Sequence, residues 1–224
     1  GRGEETGLPD SGIRALNHDR DGALLVVGSR GGFVRRSMAG WQHWPQLNVL
    51  LNAVQPDQRG GYWLASEGQG LFYQHADGSR QHYTSAQGLP SDVVHSVLVD
   101  DAGRVWIGSG RGLAVIEPGS LNSIKIIADI PAAPVFALLQ RGDAVLVGTE
   151  RGLYQWQDGH SSVTQTELSE LPVSALLLRN EELWLGTTDR GLLRLTGGVL
   201  EQLTIEGGLP NNRILSLYQD RENS

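Results

Sequence analysis

Apolar residues in this chain come in short runs, each closed by a cluster of Gly, Asp, Asn, Ser or Pro. Residues 93–127 show the pattern most clearly. Val93–Val99 is an apolar run that ends at Asp100-Asp101-Ala102-Gly103; Arg104–Ser109 follows. A glycine turn leads to Gly112–Glu117, and Pro118-Gly119-Ser120 separates that run from Ser123–Ile127. Short runs bounded by turn formers predict β-strands. No stripe at helical spacing competes with them.

The pattern repeats. VVGSRGGF at 26–33, WLASEGQGL at 63–71, WIGSGRGL at 106–113, LVGTERGL at 146–153 and WLGTTDRGL at 184–192 are copies of one element. Their last glycines, Gly32, Gly70, Gly112, Gly152 and Gly191, are spaced 38 to 42 residues apart. A second element precedes each copy: GLPDSGIRALNHDRDG at 7–22, GLPSDVVHSVLVDDAG at 88–103 and GLPNNRILSLYQDREN at 208–223, with weaker versions between. Four strands every forty or so residues make the unit of a β-propeller blade. The predicted fold is therefore all-β, with five four-stranded blades and the first strand of a sixth. A tail at 1–6 precedes blades at 7–44, 45–87, 88–129, 130–170 and 171–207, and the partial blade occupies 208–224.

One slot in the first strand of each copy holds Ala15, Ala53, Ser96, Ala137, Ala175 and Ser216. Small residues there suit innermost strands that crowd one another. Blades covered on both faces also explain near-continuous apolar strands.

Composition narrows the function classes. The chain has 224 residues, a net charge of −7 and no cysteine. Disulfides, thiolate metal sites and cysteine nucleophiles are excluded, and the acidic balance argues against a nucleic-acid surface. No apolar run approaches the roughly 18 residues of a membrane span. Thirty glycines fit many tight turns.

The string GLP-x-x-x-[IV]-x-[SA]-[LV]-x-x-D-x-x-G-x-[VL]-W-[IL]-G-[ST]-x-x-G-L, matched almost throughout by residues 88–113, resembles the two-component regulator propeller repeat. Val26 and Leu146 stand where that repeat has tryptophan, and Ala65 where it has glycine. The resemblance implies an extracytoplasmic, periplasmic sensor of a bacterial histidine kinase or diguanylate cyclase. It also implies rings of seven blades, so that this chain is expected to be part of a larger one. Some members of the family recognise carbohydrate.

Propeller topology puts the Gly-Leu-Pro loops and the S/T-x-x-G turns on one face. That face carries Arg30, Arg111, Arg151 and Arg190, with Gln69 in the second copy. Guanidinium groups there suit a carboxylate, a phosphate or a sugar hydroxyl. The simpler reading pairs them with Glu67, Glu150 and Asp189 in the same turns, or has them cover strand ends. The loops add Asp92 and Asn211, for which backbone capping is the simpler role. Arg14, Asn52 and His95 share one innermost-strand slot and are candidates to line a central channel. Trp63, Trp106 and Trp184 share a strand-two position suited to packing between blades.

No nucleophile elbow, phosphate-binding loop or metal-ligand cluster is present, so no catalytic residue, metal or cofactor is expected. The expected function is sensing of a small molecule or oligosaccharide on the Gly-Leu-Pro face. A protein-interaction or dimerisation scaffold, associating through open blade faces, is the alternative. A propeller lyase or hydrolase is a third reading.

Overall fold

The protein is described by a computed structural model that covers residues 12–28, 32–44, 47, 49–163 and 168–217. It comprises two compact units, Gly1–Ile127 and Ala128–Ser224. No helix among the described residues is long and apolar enough to cross a membrane.

The first unit holds three antiparallel four-stranded sheets. Their strands are β1–β4 (Ile13–His18, Leu24–Gly28, Phe33–Ser37, Gly40–Trp44), β5–β8 (Leu51–Pro56, Tyr62–Ser66, Leu71–Gln74, Arg80–Tyr83) and β9–β12 (Val94–Val99, Val105–Ser109, Gly112–Ile116, Ile124–Ile126). The second unit holds β13–β16 (Val135–Arg141, Ala144–Thr149, Gly152–Gln157, His160–Val163) and β17–β20 (Val173–Arg179, Glu182–Thr187, Leu192–Thr196, Val199–Leu203). Each sheet is a meander with strands in chain order, the architecture of a β-propeller blade. Residues 213–217, expected in a sixth first strand, belong to no ladder among the described residues.

The cores lie between neighbouring sheets. Leu25, Val27 and Phe33 of the first sheet pack with Leu51, Val54 and Leu64 of the second. Trp63, Leu71 and Tyr73 of the second pack with Val94, Val97 and Ile107 of the third. In the other unit, Leu146 and Leu153 pack with Val173, Leu185 and Leu193. The two central strands of the third sheet, β10 and β11, are buried at every residue.

The small slot is explained by approach between sheets. Ala53, Ala137 and Ala175 pair across the strand with Ala65, Gly148 and Gly186. A Cβ on Gly148 would lie 3.0 Å from the Val173 carbonyl oxygen, and one on Gly186 2.7 Å from the Ile214 side chain. Over these two pairs lies the corresponding segment of the next repeat, at Val173 and at Ile214.

Two side-chain devices hold the hairpins. Ser66, Ser109, Thr149 and Thr187 are fully buried. Each donates its hydroxyl to the carbonyl of the following repeat glycine, at 2.7–2.9 Å, and accepts an amide from the same turn. At the other end, Asp19, Asp57 and Asp100 each accept the amide of the residue four positions later (Ala23, Gly61 and Arg104) at 2.8–2.9 Å. Their second oxygens take Arg35 Nε at 2.5 Å, the Tyr73 hydroxyl at 2.6 Å and Trp106 Nε1 at 2.8 Å.

Burial works against ionisation of Asp57. The bonds from Tyr73, Gly61 and Arg59, with the Arg59 charge, outweigh it and hold the carboxyl below its ordinary range. A carboxyl with a lowered folded pKa stabilises the protein above its unfolded value and loses that contribution as pH falls through the folded one. Asp57→Asn is therefore expected to melt below the wild type at pH 7, with the gap closing below about pH 4. Melting curves of both proteins from pH 7 to 3 check this. A gap that stays constant would show that the carboxylate charge contributes nothing.

Candidate functional site

Every innermost strand carries a β-bulge at the same place. Register shifts fall between Ile13 and Ala15, Leu51 and Ala53, Val135 and Ala137, and Val173 and Ala175; the third sheet shifts opposite Val94 and Ser96. The bulged residues are thus Arg14, Asn52, His95, Phe136 and Ser174. Bulges re-aim side chains. Here they sit at the end of the strand nearest the S/T-x-x-G turns. Backbone bonds tie those turns to the adjoining segments: Glu67 N–H to Leu50 at 2.9 Å, Gly110 N–H to Val93 at 2.9 Å and Gly70 N–H to Asp92 at 2.6 Å.

In the first unit this arrangement gathers four polar side chains. Arg14 Nη2 donates to Asn52 Oδ1 at 2.7 Å. Asn52 Nδ2 donates to Glu67 Oε2 at 2.7 Å and to the Val94 carbonyl at 2.9 Å. Arg14 Nη2 lies 3.9 Å from Glu67 Oε2, and both side chains are more than two-fifths exposed. His95 completes the group. Burial lowers its pKa and Arg14 lowers it further, against the pull of Glu67, so the imidazole is neutral at neutral pH. Asn52 is a bracket whose amide is fully engaged; Arg14 and Glu67 face solvent. The result is a small surface with a charged donor, a charged acceptor and an uncharged ring. That chemistry suits hydroxyl or amide groups more than a single strong charge.

Arg14, Asn52 and His95 were expected to line a channel, and Glu67 to act in a turn. The structure brings all four together. Glu67 reaches Asn52 from a turn whose backbone is fixed, its amide held by Leu50 and its backbone bridging Val93. The remaining turn residues behave otherwise. Gln69, Arg111, Glu150, Arg151, Asp189 and Arg190 are exposed. Arg111, Arg151 and Arg190 form no ion pair with acids of their turns among the described residues. Arg30 lies outside the described residues.

Asp92 and Asn211 serve the loops. Asp92 accepts the Ser85 amide at 2.6 Å, and Asn212, in the same repeat position, accepts the Ile205 amide at 2.9 Å. Asn211 accepts the Arg213 amide at 2.9 Å, as Ser91 does that of Val93 at 3.1 Å. These side chains build the Gly-Leu-Pro loop. What sequence reading missed is the bulge, whose signal is faint: a polar residue (Arg14, Asn52, His95 or Ser174) just before the small slot in four of the six copies of the repeat.

Residues 88–111 match the two component regulator propeller family. No curated protein is significantly similar to the chain. Among solved structures, the chain is similar to the extracellular domain assigned to a hybrid two component system of B. thetaiotaomicron (18% identity, TM-score 0.68, covering 95% of this chain and 36% of that one). It is also similar to PorZ, a bacterial surface component of the type-IX secretion system of Porphyromonas gingivalis (14%, 0.68, 93% and 36%). A third is virginiamycin B lyase from Staphylococcus aureus (14%, 0.73, 92% and 74%). At these identities the likeness is one of fold. The chain spans about a third of the length of the first two.

Proposed function

From a chain that carries the two component regulator propeller repeat on a propeller fold, we propose the ligand-sensing part of a bacterial signalling receptor. Its place is extracytoplasmic, in the periplasm, and its ligand is a small polyhydroxylated molecule or oligosaccharide. The observation that carries this reading is the cluster of Arg14, Asn52, Glu67 and His95 at the Gly-Leu-Pro end of the innermost strands. The likeness to sensor ectodomains supports the signalling role. Signalling requires that the ligand favour one arrangement of the receptor, since equal affinity for both shifts nothing.

A scaffold role has one observation in its favour. Ile13 and Leu16 are 50% and 58% exposed, whereas Val54 and Val97, in the slot of Leu16, are 4% and 8% exposed. This face suits contact with another blade or another copy.

One experiment separates the two. Neutral and uronate-containing oligosaccharides are titrated calorimetrically into the wild type and into Arg14→Ala and Glu67→Gln. Sensing at the cluster predicts a saturable ligand whose affinity falls about tenfold or more in each variant, about 1.4 kcal/mol, with little change in melting temperature. No binding by any sugar, together with concentration-dependent dimers in light scattering, would replace this reading with the scaffold.

A further inference from the structure

The turns between the second and third strands come in two lengths. Five residues lie between the paired positions Ala65 and Leu71, as between Val27 and Phe33 and between Gly186 and Leu192. Four lie between Gly108 and Leu113 and between Gly148 and Leu153. The length goes with the residue at one position of the fourth strand. In the sheets with the longer turn that residue is His43, His82 or Gln202, paired with Val34, Phe72 and Leu193, and each can donate a hydrogen bond. In the sheets with the shorter turn it is Ile126 or Val163, paired with Ala114 and Tyr154, and neither residue type has a side-chain donor.

Two of the donors show what the pairing does. His82 Nε2 lies 2.6 Å from the carbonyl oxygen of Gln69, and Gln202 Nε2 donates to that of Arg190 at 2.7 Å. Gln69 and Arg190 both directly precede the repeat glycine. A carbonyl only accepts, so His82 Nε2 carries the hydrogen. The imidazole lies flat against Phe72, with ring centroids 4.2 Å apart and planes at 6°. Imidazole and amide thus do the same thing on two sheets: they fasten the longer turn to the outermost strand. A turn with one residue more has more conformational freedom to lose, and a side-chain bond limits it.

In the second sheet the fastened turn is the one that carries Glu67. The Leu50 carbonyl holds one side of it through the Glu67 amide, and His82 holds the other through Gln69. Between these two points Glu67 Oε2 accepts the Asn52 amide at 2.7 Å. On the reading of the polar cluster as a ligand site, we propose that His82 is its positioning residue. Through the Gln69 carbonyl it sets where the Glu67 carboxylate stands beside Asn52 and Arg14, and so which hydroxyl donors the cluster accepts.

The test uses the full chain labelled with ¹⁵N. The side-chain amide signals of Asn52, assigned with Asn52→Ala, report on Glu67, because that amide donates to its carboxylate. Glu67→Ala gives their position without the acceptor. In His82→Val, which installs the residue of a shorter-turn sheet, the signals should move most of the way to that position. In His82→Gln, which installs the donor of the fifth sheet, they should stay near the wild-type position. A neutral or uronate-containing oligosaccharide bound by the wild type should bind His82→Val about threefold or more weakly and recover in His82→Gln. Asn52 signals unmoved in His82→Val, or moved as far in His82→Gln, overturn the proposal. So does an unchanged sugar affinity in His82→Val. If none of these sugars binds the wild type, the ligand reading fails by itself, and the Asn52 signals alone decide whether His82 positions Glu67.

Discussion

Alanine at Gly70 is expected to destabilise the protein by about 3 kcal/mol or more. Gly70 has φ +76, and a Cβ there would lie 2.0 Å from the carbonyl oxygen of Tyr83. Left-handed backbone alone costs an L-residue roughly 1–2 kcal/mol. The remainder comes from moving a strand-four carbonyl that cannot yield as a flexible side chain would. In a chain of this size that corresponds to a fall in melting temperature of about 6–12 °C. Gly119→Ala is the control: its φ is +77, but nothing lies within 4 Å of its Cβ position. It should cost only the backbone strain. Equal losses in the two variants would show that the clash with Tyr83 is relieved without cost. Gly70 also closes the turn that carries Glu67, so the substitution should weaken sugar binding as well, whereas Gly119→Ala should not.

Removal of the Asp100 carboxylate should cost a comparable amount, about 3–5 kcal/mol. Asp100 is 2% exposed. It accepts the Arg104 amide at 2.8 Å, Arg104 Nε at 2.6 Å and Trp106 Nε1 at 2.8 Å. Asp100→Ala leaves a part-buried guanidinium and a buried indole N–H without this acceptor, and buried groups left so are penalised more than a lost bond. Asp100→Asn keeps one acceptor oxygen and should lie between the two. Urea unfolding followed by tryptophan fluorescence measures all three proteins. A loss below 1 kcal/mol in Asp100→Ala would show that water replaces the carboxylate. Trp106→Phe combined with Asp100→Ala should lose less than the separate losses added, because both remove the same bond.

Much of the fold is legible in single residues of the repeat. The five repeat glycines all have positive φ. At Gly32, Gly70, Gly152 and Gly191 a Cβ would lie 2.0–2.5 Å from a carbonyl oxygen of strand four or the loop after it. A requirement met within one hairpin must recur wherever the hairpin recurs, so it appears in the sequence at a fixed period. The Ser and Thr hydroxyls and the loop residues Asp92 and Asn212 bond groups within about eight residues and are legible for the same reason. The candidate site was legible only in pieces. Arg14, Asn52, Glu67 and His95 each stood out, but nothing local said that the bulge and the Leu50 carbonyl would turn them toward one another.

The sequence by itself determined the strand lengths, the turns, the five-fold repetition of the sheet and the small slot where sheets converge. All of these answer constraints inside one repeat or common to every repeat. Only the tertiary structure decided which side chain meets which across two repeats. The bracket of Asn52 between Arg14 and Glu67, and the capture of Asp57 by Tyr73, depend on positions where the copies differ. Those contacts turn on the reach and geometry of individual side chains, which a repeating pattern does not encode.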